Sequence, residues 1–319
     1  MAALAAFALL GLAPAAGAGA QGLVARADTL LVAGRVFAAE SLYYYAVRID
    51  PRNPTARLAL GKYLAERGAL KVGAVLMEEA RYFGGDAATV ARELAPVYEQ
   101  LGAYGALASL PESPLSYGER LRAEWLRDHP PTITGPDSGV VMYHVSDGQL
   151  LGRVMLHIGA DSVLATIDAR VRGLVLDTAW ARRAEVKRFA ARSERNPAQA
   201  AAVTLQVQLG DFVLTNVPTS FASHRDPSLA TIGLDVLARL APTFDPRVDR
   251  MMLRKSGRLD VEPAGVQIAT LTNETGVYVV KTETIFPIGH PDVQRVLRYS
   301  RWTFDAKRGR VVVEEVGQG

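Results

Sequence analysis

The chain has 319 residues, 36 Lys+Arg against 33 Asp+Glu, 49% hydrophobic residues and no cysteine. That length exceeds one core, since single cores stop growing at about 250–300 residues, and the composition excludes a disordered chain. Without cysteine there is no disulfide scaffold, thiol nucleophile, thiolate zinc site or iron–sulfur cluster, and a net charge of +3 is too small to argue for nucleic acid.

Residues 1–20, MAALAAFALLGLAPAAGAGA, carry no charged side chain. The apolar run Ala2 to Leu12 is too short to cross a bilayer of about 30 Å as a helix. Pro14 and a small-residue run ending Ala18-Gly19-Ala20 follow it, as in a signal-peptide cleavage site. The segment reads as an export signal cleaved near Ala20–Gln21, so the expected location is exported, periplasmic or secreted. Gly17, Gly19 and Gly22 have dinucleotide-loop spacing, but no strand precedes them. No later segment reads as a transmembrane span.

Residues 21–128 carry a repeat. Gly34, Gly68 and Gly102 are 34 residues apart, as are Leu30, Leu64 and Tyr98, and Val36, Leu70 and Tyr104. Ala46 with Ala80, and Tyr43 with Met77, add two partial columns. The segment AESLYYYAVRIDPRNP resembles the second half of a tetratricopeptide repeat, whose period is the same. The resemblance implies pairs of antiparallel helices with a glycine ending the first of each pair. Asp50-Pro51 then closes the first unit, Gly84-Gly85 the second, and Pro111 a partial third. A last helix, about Ser116 to Asp128, reads as a solvating cap. Such solenoids bind a protein partner in a concave groove; an intramolecular scaffold or dimer arm is the equal alternative. Tyr43 falls in the packing column, and Tyr44 and Tyr45 are also expected to pack between helices.

Residues 129–140 read as a linker, with three prolines and a glycine in HPPTITGPDS. Beyond them the pattern alternates in VVMYHV, RVMLHI, VLATID, RGLVLDT, VTLQVQL, FVLTNVP, RMMLR and RVVVEE, which predicts a barrel or sandwich of short strands. Helices are expected only near Ala179–Arg192 and Leu234–Leu240.

Serine-elbow, metalloprotease and phosphate-loop motifs are absent. His129, His144, His157, His224 and His290 have no helical ligand spacing, so they read as surface or strand-face residues, and neither metal nor cofactor is expected. What remains is Asp177-Thr178-Ala179 at the end of the apolar strand Arg172–Leu176. Two strand-end carboxylates brought together share a proton and activate a water; a turn aspartate at a strand edge is the plainer alternative.

The surroundings bear on that choice. VLATIDARVRGLVLDTAWARR resembles the first half of a retropepsin-like aspartic protease: a strand, a short turn at Asp168-Ala169-Arg170, a second strand, then the Asp-Thr-Gly-type loop. LQVQLGDFVLTNVPTSFAS resembles the strand pair ahead of that family's second marker, and Ala230–Leu237 resembles the marker itself, with Ile232-Gly233 opening a helix. Phe244-Asp245 and Arg250-Met251-Met252-Leu253 resemble the closing strands. The resemblance implies a multidomain α + β chain, a tetratricopeptide solenoid followed by a mostly-β acid protease barrel over residues 141–258. It implies Asp177 as the catalytic residue, Thr178 and Ala179 as its loop support, and a flap between about Ser193 and Val207. Since there is one Asp-Thr element, it implies a homodimer contributing one Asp177 from each copy. The activity implied is that of an exported aspartic-type endopeptidase acting on a peptide or protein substrate. The alternative is a proteolytically inactive envelope module that keeps the fold and binds peptide or protein. One departure stands out: Ala179, Trp180 and Ala181 follow Thr178 where the family has Gly-Ala-Ser.

Residues 259–319 read as a C-terminal β extension. ARLAPTFDPRVDRMML (238–253) and RYSRWTFDAKRGRVVV (298–313) look alike, and are expected as two ordinary hairpins ahead of a degenerate duplication of the closing strands.

Overall fold

In the computed structural model, residues 19–145, 151–189, 200–223, 229–259, 263–273, 275–281 and 284–314 are described. The proposed signal lies almost wholly outside them, as do the first part of the proposed flap and His224. Helices come first: α1 (Ala20–Val32), α2 (Val36–Ile49), α3 (Pro54–Glu66), α4 (Leu70–Tyr82), α5 (Ala87–Leu101), α6 (Tyr104–Ala108) and α7 (Tyr117–Asp128). None of the described helices is long and apolar enough to cross a membrane.

The three columns of the repeat each correspond to one backbone requirement. Gly34, Gly68 and Gly102 have φ of 81°, 87° and 68°, the left-handed region that glycine enters without a Cβ penalty. After each, the next amide turns back to the same column of carbonyls. Arg35 N donates to Leu30 O at 2.8 Å, Ala69 N to Leu64 O at 2.9 Å and Ala103 N to Tyr98 O at 2.9 Å, a helix-ending motif made three times. Val36, Leu70 and Tyr104 then open α2, α4 and α6. Asn53 and Asp86 cap α3 and α5 by accepting from Ala56 N and Thr89 N. Tyr43 is buried with its hydroxyl donating to Asp28 at 2.6 Å, whereas Tyr44 and Tyr45 are exposed, so only the first of the three tyrosines packs between helices.

The strands follow: β1 (Thr132–Thr134), β2 (Ser138–His144), β3 (Arg153–Ile158), β4 (Asp161–Asp168), β5 (Leu174–Asp177), β6 (Val186–Phe189), β7 (Ala201–Leu209), β8 (Phe212–Ala222) and β9 (Leu229–Gly233). A short helix α8 (Leu234–Ala238) leads to β10 (Thr243–Asp245) and β11 (Arg250–Arg254). Then come β12 (Val266–Asn273), β13 (Gly276–Lys281), β14 (Thr284–Pro287), helix α9 (Pro291–Leu297), β15 (Arg301–Asp305) and β16 (Arg310–Glu314). The order β3-β4-β9-β5-β8-β7 closes on itself through His157↔Gln208 between β3 and β7, which makes a six-stranded barrel around Leu156, Ile158, Val163, Leu174, Leu176 and Ile232. From β3 the sheet continues through β2, β11, β10, β15, β16, β12, β13 and β14.

Several expectations change. The proposed linker carries β1, paired with β8 from Thr132↔Thr215 to Thr134↔Val213, and the start of β2. The helix expected over Ala179–Arg192 is a one-turn 3₁₀ helix, Thr178–Arg182, followed by β6. The helix near Asp128 does more than solvate an end. A capping box of Ser116 and Glu119 starts α7, and Ala123 and Leu126 bury against Phe189, Ala201 and Val203 of the barrel wall. At the other end of the array, α1–α3 share a core with Leu271 and Val280, and Arg67 donates to the Thr270 carbonyl at 2.7 Å. The change of element type near residue 130 is therefore crossed by packing on both sides.

Gly68 and Gly84 separate backbone strain from steric room. Both have left-handed φ, 87° and 88°, but a Cβ at Gly68 would strike the Ala306 carbonyl while one at Gly84 would meet nothing within 4 Å. Gly84→Ala should cost about 1–2 kcal/mol for the left-handed backbone alone. Gly68→Ala should cost clearly more, because it also parts the helical array from the segment between β15 and β16. Urea unfolding of the two variants checks this, and equal losses would contradict the contact.

Candidate functional site

Two apolar strands end in aspartate, and β9 runs between them. β9 pairs in parallel with β4, from Leu164↔Leu229 to Asp168↔Gly233. It pairs antiparallel with β5, with Leu174↔Ile232 and Val175↔Thr231. β4 and β5 thus run in opposite directions along the same strand, and their terminal carboxylates lie at opposite ends of this three-stranded unit. The residue beside Ile232-Gly233 is Asp168, whereas β5 carries Asp177 away from that marker.

Asp177 follows Leu176 in the barrel core and is 6% exposed. Its carboxylate accepts from Ala179 N at 2.8 Å and so caps the 3₁₀ turn of Thr178, Ala179 and Trp180. The β5–β8 register sets it beside Ala222. Trp180, the residue that departs most from the family loop, is buried in the core, with the Arg183 guanidinium 4.1 Å from its ring centre. The sequence-predicted Asp177, Thr178 and Ala179 are therefore together, and Ile232 and Gly233 are elsewhere.

The turn after β4 is tightly built. Asp168 accepts from Arg170 three times, from its amide at 2.8 Å, from Nε at 3.1 Å and from Nη2 at 2.8 Å. The hydrogen bonds from the Arg170 side chain are the main cause holding the Asp168 carboxyl below the usual carboxylate range, against the opposing effect of burial. Gly233 N donates to Gly173 O at 2.7 Å, and both oxygens of Asp235 accept from Gly173 N, at 3.1 and 3.2 Å. A side chain at position 233 would overlap the Val171 carbonyl and the Asp235 carboxylate, so glycine is required by close approach here. The protein crowded around Asp235 raises its carboxyl above the ordinary range although the residue is exposed, and the hydrogen bond from Gly173 N, then Arg239 and Arg172, oppose that shift.

The same turn forms one wall of a cavity of about 560 Å³. Leu151, Ile167 and Ala169 are apolar in that wall, and Val277 and Ile288 face them from β13 and the end of β14. Thr275, Tyr278, His290 and Gln294 supply further polar groups, and Asp168 and Arg170 form an ion pair within the lining. Gln294 Nε2 donates to Gly289 O at 2.8 Å, and Tyr278 OH lies 2.7 Å from Thr275 Oγ1. Among the described residues no group of three or more His, Asp and Glu side chains comes together as a metal site. Sequence reasoning read Asp168 only as part of a turn and His290 only as a surface or strand-face residue, and passed over Gln294. The signal for Asp168 was the one used for Asp177, an apolar run ending on a carboxylate.

No protein-family model matches the chain, and no curated protein does. Among solved structures, a retropepsin-like aspartic protease from Rickettsia conorii is similar over 39% of this chain and 92% of its own length, at 14% identity and a TM-score of 0.26. That TM-score is too low to establish a common fold.

Removing Arg170 should move Asp168 upward. A lowered folded-state carboxyl contributes stability above the unfolded-state pKa, and loses it as pH falls through the folded value. In Arg170→Ala the Asp168 carboxyl should titrate at higher pH than in the parent, followed by carbon-detected NMR of the carboxyl. An unchanged titration would mean that the pair does not hold the carboxylate in solution.

Proposed function

We propose that the β unit is a peptide-binding module that keeps an acid-protease-like barrel but does not hydrolyse its ligand. The helical array, read as tetratricopeptide repeats, adds a surface for a protein partner. The observation that carries this reading is the Asp168–Arg170 clasp beside Gly233. Hydrolysis by paired carboxylates needs one to hold a proton while the other is ionised, with both facing the same water. A carboxylate neutralised by its own neighbouring guanidinium is a weak base and holds no proton to donate. Asp177 lies at the other end of the β4–β9–β5 unit, so one chain holds no carboxylate pair here and hydrolysis would need the Asp177 of a second copy.

The cavity supports a neutral peptide segment as the occupant. Its size is within the roughly 300–1,000 Å³ of small-ligand sites, its floor is apolar, and its polar lining consists of hydroxyl, amide and imidazole groups suited to backbone hydrogen bonds.

The endopeptidase reading is retained on one observation. Asp177 is the only carboxylate among the described residues that are buried, and burial of a carboxylate is costly enough to need a reason. In that reading two copies each supply Asp177.

One set of measurements separates them. The full chain is screened against an array of N-acetylated, C-amidated peptides, and bound sequences are followed by fluorescence anisotropy and mass spectrometry between about pH 3 and 7, where shared-proton carboxylates operate. The expected result is binding with every peptide intact. His290→Ala and Gln294→Ala should each weaken binding about fivefold, the equivalent of one neutral hydrogen bond of ~1 kcal/mol. Cleavage that disappears in Asp177→Asn would overturn the proposal in favour of the endopeptidase.

A further inference from the structure

The two look-alike segments pair with each other, and at equivalent positions. Thr243, Phe244, Asp245 and Arg250 recur as Thr303, Phe304, Asp305 and Arg310, an offset of 60 throughout. β11 (Arg250–Arg254) and β16 (Arg310–Glu314) have bounds displaced by the same 60. Thr243 pairs with Met252 in one hairpin and Thr303 with Val312 in the other. The turns agree in backbone as well: Asp249 and Gly309, again 60 apart, are both left-handed, with φ of 52° and 56°. The likeness extends outward, because β11 pairs with β2 as β16 pairs with β12. It extends upstream too: Ile232-Gly233 leads into α8 and β10 as Ile288-Gly289 leads into α9 and β15.

β10 and β15 are joined antiparallel, with Thr243 opposite Thr303 and Phe244 opposite Trp302. Each threonine thus faces its own counterpart. The two hydroxyls are 2.8 Å apart and both residues are buried. Phe244 stacks on Trp302 at 4.3 Å between ring centres, and at the twofold-related position Phe304 N donates to Pro242 O at 3.1 Å. A contact in which residue i meets its equivalent, flanked by exchanged pairs, is the pattern of a twofold dimer interface. Here a single chain makes it.

We infer that residues 266–314 are a reduced internal second copy of the β unit's closing elements, and that they occupy the face a second chain would take. The cleft is then complete in one chain and unsymmetrical. The first half brings the Asp168–Arg170 turn beside Ile232-Gly233. The second brings Ile288-Gly289 with His290 and Gln294, and Gly276 lies against the stem of Arg170, where an added Cβ would be 3.3 Å from Arg170 Cγ. Only the nature of the occupant rests on the peptide-binding reading; the duplication and the closed face stand on strand register alone. One chain binds one peptide, and self-association through β10 is blocked.

The test uses the full chain, whose lack of native cysteine makes an introduced pair unambiguous. Directly opposed antiparallel residues have Cα atoms about 4.5–5.5 Å apart, within the roughly 4.4–6.8 Å that a disulfide spans. Oxidised Thr243→Cys/Thr303→Cys should migrate on a non-reducing gel as a single chain carrying an internal link. Thr243→Cys alone should not cross-link, and the unaltered protein should sediment at the mass of one chain at micromolar concentration. A disulfide-linked dimer of the Thr243→Cys single variant would overturn the inference, since a homodimer through this face sets residue 243 near its own copy. The single variant decides the matter even if the double variant fails to fold. A single-chain mass with internal cross-linking but no captured peptide would leave the duplication standing and remove the peptide-binding reading.

Discussion

β9 is hydrogen-bonded to β4 on one side and to β5 on the other, and those two strands run in opposite directions. This five-residue strand arrives from a distant part of the sequence and sets the position of everything with chemical character. It brings Gly233 against Gly173 and Val171, so that no side chain fits there. It stations Asp235 to receive the Gly173 amide. It also decides which of two strand-end aspartates faces the cavity: Asp168 does, clasped by Arg170, while Asp177 is carried to the far end, where it caps a 3₁₀ turn.

The same frame is what the proposal of binding without reaction rests on. Charge in the cleft is cancelled within three residues of sequence, before any ligand arrives. What remains around the cavity is an apolar floor with hydroxyl, amide and imidazole groups. The helical array braces this arrangement from two sides, through α7 on the barrel wall and through α3 on β12 and the turn between β15 and β16. Movement of the array would therefore be felt in both halves of the β unit.

Much of the fold was legible in the sequence, and for identifiable reasons. The 34-residue columns each mark a local necessity: a left-handed glycine, the carbonyl that its turn uses, and the residue that opens the next helix. Alternation revealed most of the barrel strands, because one face of each is buried. Local signals gave out where long-range pairing decides. The prolines of 129–140 read as a linker because nothing local indicates that Thr132–Thr134 will pair with β8. Alanines such as Ala123 gave no hint that α7 would dock on the barrel. Choosing between Asp168 and Asp177 needed the direction of β9, which no pattern within either strand contains. The likeness of residues 238–253 to 298–313 was visible, but its meaning lies in Thr243 facing Thr303.

The central claim is that ligand occupies the cleft at the Asp168 end of the β4–β9–β5 unit and not the Asp177 end. Hydrogen–deuterium exchange of the full chain with and without a captured peptide tests it most directly. The account predicts slowed exchange at residues 166–170 and 275–290, with residues 177–182 unchanged. Protection confined to residues 177–182 would contradict it.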